Sequence, residues 1–181
     1  MSLTPATEAD IRSVSLQLGR EARDIVAIAA RCICGNPIVV QTKPRLSDGT
    51  PFPTMYYLTH RGATAAISTL EASGFMAELQ ASLGDDEALA DAYRRAHAHY
   101  LAERDELEAL LGLDVPEIEG ISAGGMPTRV KCLHALIGHS LAAGPGVNPI
   151  GDLALAACTW QPTKCVCDHT PEDAQNNPET L

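Results

Sequence analysis

The chain has 181 residues, of which 45% are hydrophobic, 20% are charged and only 4% are aromatic. This length and apolar content suit one globular domain, and they exclude wholesale disorder and a base-stacking platform rich in Phe and Tyr. The formal net charge of −10 disfavours general nucleic-acid binding, because an acidic surface repels phosphates. No apolar run is long enough for a membrane span and the first residues lack a basic flank, so we expect a cytoplasmic protein.

The chain is predicted to divide into three parts. Residues 1–19 form an N-terminal helical segment, in which Thr7 caps a helix that ends near Leu18. Residues 20–160 form an α+β domain. Residues 161–181 form a cysteine-containing acidic tail, and the scarcity of apolar side chains after residue 167 predicts disorder there.

Three short runs rich in β-branched and aromatic residues indicate a small antiparallel sheet between Ile25 and Leu58. The first two runs, 24–31 and 37–43, flank a short turn and therefore predict a hairpin. The third run, 54–59, follows a segment rich in Pro and Gly and predicts a third strand.

After His60 the hydrophobic spacing changes from two residues to about 3.6, which is typical of amphipathic helices. The sequence predicts one or two helices over 62–80 with a break near Gly74, a long acidic helix over 85–111, a helix over 128–143 and a short helix capped by Asp152. We expect these helices to cover a three-stranded sheet, which makes the protein a single α+β domain.

The six cysteines are expected to be free thiols or metal ligands, because the cytosol keeps thiols reduced. Cys32 and Cys34 stand in the predicted hairpin turn, where Gly35 lets the backbone fold around an ion as in a zinc knuckle. A pair of buried thiols without a metal is the alternative. The three cysteines near the chain end, Cys158, Cys165 and Cys167, could form a second metal cluster or an oxidisable pair together with His169. Their place beside the tail favours loop residues without a role.

Six ordered motifs occur between residues 20 and 155: Arg31-Cys32 with Gly35 and Pro37, Pro44-Arg45-Leu46 with DGTPFPT from Asp48, YYLT from Tyr56, SAGGMP from Ser122, VKCLH from Val130, and GPGVNPIGD from Gly144. Together they resemble the bacterial domain of unknown function 501 family, which is mainly actinobacterial. The resemblance implies no activity, because that family has none established. It does imply that Cys32, Cys132 and His134 match family positions, whereas the position of His60 is often Cys.

We predict a structural zinc site formed by Cys32, His60 and Cys132, with Cys34 or His134 as the fourth ligand. The hairpin turn, the end of the third strand and the start of the 128–143 helix would bring these residues together. Iron is the alternative metal. A closed four-ligand sphere leaves no position for a reacting water, so this hypothesis predicts a metal-stabilised binding or interaction module with an unidentified protein partner.

A phosphate or nucleotide site is a second hypothesis. Gly124 and Gly125 precede the predicted helix start, and Arg129 and Lys131 lie in its first turn, where free amides bind anions. Arg45 from the hairpin side would assist. A plain turn before a helix is the structural alternative.

A thiol-dependent enzyme is a third hypothesis, so the sequence leaves open whether the protein is an enzyme. Cys132 lies beside Lys131 near the predicted helix start, and both features lower the pKa of a thiol. A Cys and His pair also needs an acidic residue that orients the imidazole, and the sequence identifies none for His134.

Overall fold

The computed structural model describes residues 3–167, and within this range the chain forms an antiparallel sheet and six α-helices. The strands are β1 (Thr4–Pro5), β2 (Ile25–Arg31), β3 (Pro37–Thr42) and β4 (Tyr56–Leu58). The helices are α1 (Glu8–Leu18), α2 (Arg61–Ala72), α3 (Phe75–Asp85), α4 (Glu87–Leu111), α5 (Leu133–Ala143) and α6 (Pro149–Ala157), with a 3₁₀ helix at Pro116–Ile118. The α+β class is confirmed, but the sheet has four strands rather than the three expected.

The additional strand, β1, pairs with β2 and has only two residues, which are too few to show the alternation that predicts a strand. The strand order is β1-β2-β3-β4, and every neighbouring pair is antiparallel. Residues of the predicted disordered tail from 168 onwards lie outside the described range.

The two faces of the sheet pack against different helices. On one face Val40 lies opposite Ile28, and both pack with Val14 of α1. On the other face Val39 lies opposite Leu58, and both belong to the main core, which includes the buried side of α5. The sheet is thus covered on both faces, as its largely apolar strands require.

The helix boundaries agree with the local sequence signals in the first half of the chain. Thr7 caps α1, as predicted, and it forms a capping box with Asp10. Gly74 separates α2 from α3 with a φ of 91°, a conformation that favours glycine. Along α4 the predicted apolar face is buried, with Tyr93 and Tyr100 fully enclosed.

Two boundaries in the second half differ from the prediction. The helix predicted over 128–143 starts only at Leu133. Before it, the backbone amide of Lys131 donates to the carbonyl of Gly124 (2.8 Å) and closes a turn, instead of making a helical hydrogen bond. The last helix starts at Pro149, because the side-chain oxygen of Asn148, rather than Asp152, accepts from a first-turn amide (3.0 Å). No helix in residues 3–167 has the length and apolar character that a membrane crossing requires.

Candidate metal centre and a second cysteine group

Four cysteines converge at the tip of the β2–β3 hairpin: Cys32, Cys34, Cys165 and Cys167. We call them the four-cysteine group. Their Sγ atoms all lie within 4.8 Å of one another, and those of Cys34 and Cys167 are 3.4 Å apart. Four thiolates at Zn–S bonds of about 2.3 Å would lie about 3.8 Å from one another in a tetrahedron. Small side-chain adjustments would therefore let the group enclose one such ion.

The hairpin turn presents the first two thiols. The backbone amide of Cys32 donates to the carbonyl of Asn36, and that of Gly35 donates back to the carbonyl of Cys32, both at 2.8 Å. Gly35 has a φ of 90°, which a residue with a side chain would adopt only with strain. The turn leaves Cys32 buried and Cys34 half-buried, with both sulfurs at one end of the sheet.

The segment after α6 brings the other two thiols to the hairpin. Trp160 is buried, and its ring contacts that of His60 with centroids 5.4 Å apart. The Gln161 side chain donates to two carbonyls at the end of α6, so the chain turns back there. Farther along, Val166 packs so closely on Gly62 that a Cβ at Gly62 would lie 2.8 Å from it.

His60 links the four-cysteine group to α2. Its Nδ1 accepts from the backbone amide of Ala63 (3.2 Å) and so caps α2. A nitrogen that accepts carries no proton, so the neutral ring has its proton on Nε2. That atom lies 3.1 Å from the Sγ of Cys167 and therefore donates to the sulfur.

The thiols of the four-cysteine group have unequal acidities. Burial raises the pKa of Cys34, but hydrogen bonds from the Asn36 backbone and the neighbouring thiols outweigh it and lower the pKa to about 7. At Cys32 and Cys167 burial dominates and raises the pKa. Four neighbouring thiolates repel one another, and a divalent cation is what stabilises such a set.

A second group combines Glu71, Cys132 and His134, whose ligand atoms also lie within 4.8 Å of one another. The Nδ1 of His134 lies 3.2 Å from the Glu71 carboxylate, and its Nε2 lies 3.2 Å from the carbonyl of Thr64. The Ser68 hydroxyl, which can donate or accept, also lies 3.3 Å from Nε2. The carboxylate and the carbonyl only accept, so a ring with protons on both nitrogens satisfies both of them, and the ring is a cation. The hydrogen bond with Cys132 raises the pKa of His134 most; burial opposes this, and the charge of Glu71 adds to it, for a value of about 9.

Glu71 also contacts the start of α5, where its Oε1 accepts from the backbone amide of Leu133 (2.6 Å). It is the acidic partner of His134 that sequence reasoning does not find. No local signal identifies it, since Glu71 lies on α2, far from His134 along the chain.

A third group, His99, Glu103 and His139, forms a hydrogen-bonded network in which only His139 is buried. The Asn148 amide oxygen accepts from Gly151, so its nitrogen donates to the Nδ1 of His139 (3.2 Å). His139 therefore carries its proton on Nε2, which faces His99 at 3.3 Å. Burial lowers the pKa of His139 to about 3. The protonated Nε2 of the neutral ring has no lone pair with which to bind a metal.

The family model described as protein of unknown function (DUF501) matches residues 28–156, which is well over half of the chain. The chain belongs to the DUF501 family. This confirms the resemblance given by the sequence motifs. A comparison with curated proteins found no match, and a comparison with solved structures found none.

The structure divides the predicted metal ligands, all of which lie inside the DUF501 range, between two places. Cys32 and Cys34 belong to the four-cysteine group, whereas Cys132 and His134 belong to the group with Glu71. The reason is the late start of α5, which places these two residues beside α2 rather than at the hairpin. His60 lies beside the four-cysteine group as a donor to sulfur.

Cys165 and Cys167 are the ligand candidates that the sequence prediction leaves in a loop. They follow the DUF501 range, so the family motifs do not include them. The signal that points to them is the repeated C-x-C spacing, which occurs once in the hairpin turn and once after α6.

The residues of the predicted anion site form a closed turn. The amides of Arg129 and Lys131 donate to the carbonyls of Gly125 and Gly124 (2.9 and 2.8 Å). A Cβ at Gly125 would lie 2.5 Å from the Arg129 carbonyl, so the glycine serves close backbone packing. Arg45 pairs with a carboxylate of the 3₁₀ helix at 2.6 Å. Anion binding here stays a prediction.

Proposed function

We propose that this DUF501 protein is a zinc-stabilised binding or interaction module of the cytoplasm, in which Cys32, Cys34, Cys165 and Cys167 bind one structural zinc ion. The observation that carries the proposal is the approach of four Sγ atoms to within 4.8 Å of one another from two distant parts of the chain. Four cysteines are a common ligand set of structural zinc sites.

The chemistry of the donors narrows the metal to two candidates. A tetrahedral set of four sulfurs selects zinc or iron. Zinc suits a structural site because it undergoes no redox change and accepts the tetrahedron without a preference of its own.

His60 supports the site without being a ligand. Its Nε2 proton is directed at the sulfur of Cys167, and its Nδ1 is held by the α2 amide. Hydrogen bonds of this kind orient ligands and reduce the charge on a thiolate set. Sequence reasoning assigns His60 to the coordination sphere, but this arrangement favours a place just outside it.

A closed four-thiolate sphere implies an architectural role. All four positions around the ion would be filled by protein, so no site remains for a water that could hydrolyse a substrate. The ion would instead hold the segment after α6 against the hairpin. The middle residues of the two C-x-C segments, Ile33 and Val166, are exposed apolar side chains, at 68% and 47%. Apolar side chains exposed beside a rigid metal turn suit contact with a protein partner.

Elemental analysis of protein purified without an affinity tag tests the proposal. We expect one zinc per chain in the wild type and in Cys132→Ser, but a loss of zinc in Cys34→Ser. Cys132→Ser is the matched control, because it makes the same change in a half-buried thiol outside the four-cysteine group. A wild type without stoichiometric metal would refute the site, and loss of metal only in Cys132→Ser would restore the set predicted from the sequence.

A further inference from the structure

Cys132 lies where two features of the fold favour a thiolate. It is the N-cap residue of α5, a helix of 11 residues, and it is half-buried rather than enclosed. Its Sγ is within 4.8 Å of a ring nitrogen of His134. A helix N-terminus and a neighbouring cation both stabilise the charged form of a thiol.

The cation beside Cys132 is held in place from both sides. His134 is bonded to the Glu71 carboxylate through Nδ1 and to the carbonyl of Thr64 through Nε2, each at 3.2 Å. Glu71 is itself fixed by the backbone amide of Leu133. Acceptors at both ring nitrogens favour the protonated ring, and a ring that turned away from the sulfur would lose the carboxylate and the carbonyl together.

We propose that Cys132 is a nucleophilic thiolate that reacts with low-molecular-weight disulfides and is thereby modified as a mixed disulfide. This activity is separate from the metal centre of the proposed function, since it uses Cys132, His134 and Glu71 and none of the four-cysteine group.

The exchange balances without any other reactant. The Sγ of Cys132 attacks one sulfur of the disulfide, a new Sγ–S bond forms and the original S–S bond breaks. The second half of the reagent leaves as a thiolate with the electron pair of that bond and then takes a proton from water. A small thiol in excess reverses the reaction.

Exchange with a small disulfide fits this location better than acyl transfer does. Disulfide exchange needs only the approach of a second sulfur to Sγ. Acyl transfer also needs amide donors for a developing oxyanion, and the first amide of α5 is not available for that role. The Leu133 amide already donates to Glu71 at 2.6 Å.

The test uses the full zinc-loaded chain and 2,2′-dithiodipyridine, a small disulfide whose released thione is followed by absorbance. The modified residue is identified by peptide fragmentation, which separates Cys132 from Cys158. We expect Cys132 to react first, and its rate to fall by less than about tenfold between pH 8 and pH 6. An ordinary thiol with a pKa of about 8.5 loses roughly 80-fold over the same interval because its thiolate disappears.

Two variants distinguish a Cys132 thiolate that is stabilised by His134 from a cysteine that reacts only because it is exposed. In His134→Gln we expect the reaction rate of Cys132 to fall roughly 80-fold between pH 8 and pH 6, as the rate of an ordinary thiol does. Cys158→Ser is the control and should leave the Cys132 rate unchanged. Modification of Cys158 before Cys132, or an ordinary pH profile for Cys132 in the wild type, would overturn the proposal. Zinc content is measured on the same samples, so failure of the metal centre is seen separately.

Discussion

The four-cysteine group and the group around Cys132 both place a histidine beside a cysteine sulfur, and they differ in the charge of that histidine. In the first, His60 accepts through Nδ1 and donates through Nε2, so it is neutral. In the second, His134 donates through both nitrogens, so it is a cation. The partners of the ring nitrogens decide the charge beside the sulfur: a backbone amide at His60, and a carboxylate and a carbonyl at His134.

This difference separates a site for a metal from a site for a nucleophile. Several thiols with a neutral donor gather negative charge, which a divalent cation balances. A single thiol with a fixed imidazolium already has its counter-charge, so it stays free to react. Counting Cys and His residues in a sequence does not distinguish these cases.

The largest expected difference between the two groups is in how metal binding affects thermal stability. At free zinc 1,000 times its dissociation constant, binding adds about 4 kcal/mol to the free energy of unfolding. For a domain of this size that corresponds to roughly 8–16 °C in the unfolding midpoint. We expect a strong chelator to lower the midpoint of the wild type by this amount, as measured by calorimetry, and Cys167→Ser to show the low midpoint without chelator.

Cys132→Ser is expected to respond to the chelator as the wild type does, because Cys132 lies outside the metal centre. If chelation left the wild-type midpoint unchanged, the two groups would not differ in metal dependence and the comparison would fail.

An intermediate effect is expected from His60→Asn, which separates the two bonds of His60. Asn is a good helix N-cap, so the start of α2 keeps an acceptor, whereas the shorter side chain loses the donation to Cys167. Loss of such a supporting bond typically lowers metal affinity 10- to 100-fold. Competition with a chromophoric zinc chelator measures this, and we expect the metal-free protein to unfold at a somewhat lower midpoint, because Asn loses part of the contact with Trp160. An unchanged affinity would mean that the contact of His60 with sulfur has no role in metal binding.

The smallest effect concerns the pH dependence of stability. The folded pKa of His134, about 9, lies above its ordinary value of 6.5. A raised pKa stabilises the fold fully below pH 6.5, and this contribution is lost as the pH rises through about 9. The ionisation of Cys132 changes stability in the opposite direction below about pH 8.5, so the loss due to His134 is expected above that pH. Because water screens the half-buried pair, we expect a loss on the order of 1 kcal/mol, measured by urea unfolding.

Glu71→Gln tests the part of that contribution that comes from the Glu71 carboxylate. Glutamine keeps an oxygen that can accept from the Leu133 amide but removes the charge that faces His134. The decline in stability above about pH 8.5 should become shallower in this variant, and the NMR pKa of His134 should fall towards 6.5. An equal decline in the two proteins would assign the pH dependence to another group.

The sequence predicts those parts of the molecule whose signals are local. The hairpin around Cys32, the cap at Thr7 and the break at Gly74 each follow from residues within one turn of the chain, and the structure confirms them. The short strand β1 has no such signal, because it is defined only by its pairing with β2.

The candidate site is predicted only in part, since its members come from distant segments. Cys32 and Cys34 are recognisable from the turn that holds them. Cys165 joins them only because the chain folds back after α6, and Glu71 meets His134 only because α2 lies beside the start of α5. Neither approach follows from spacing along the chain, which is why the sequence-based set combines ligands from two groups.

The backward turn after α6 has a consequence for how the molecule opens. With a metal bound across the hairpin and Cys165, nearly all of the DUF501 domain lies inside one ring closed by sulfur–metal bonds. Peeling α6 from the core then requires a coordination bond to break first. Amide protons of α6 would therefore exchange with solvent at the pace of metal release rather than at the pace of helix fraying.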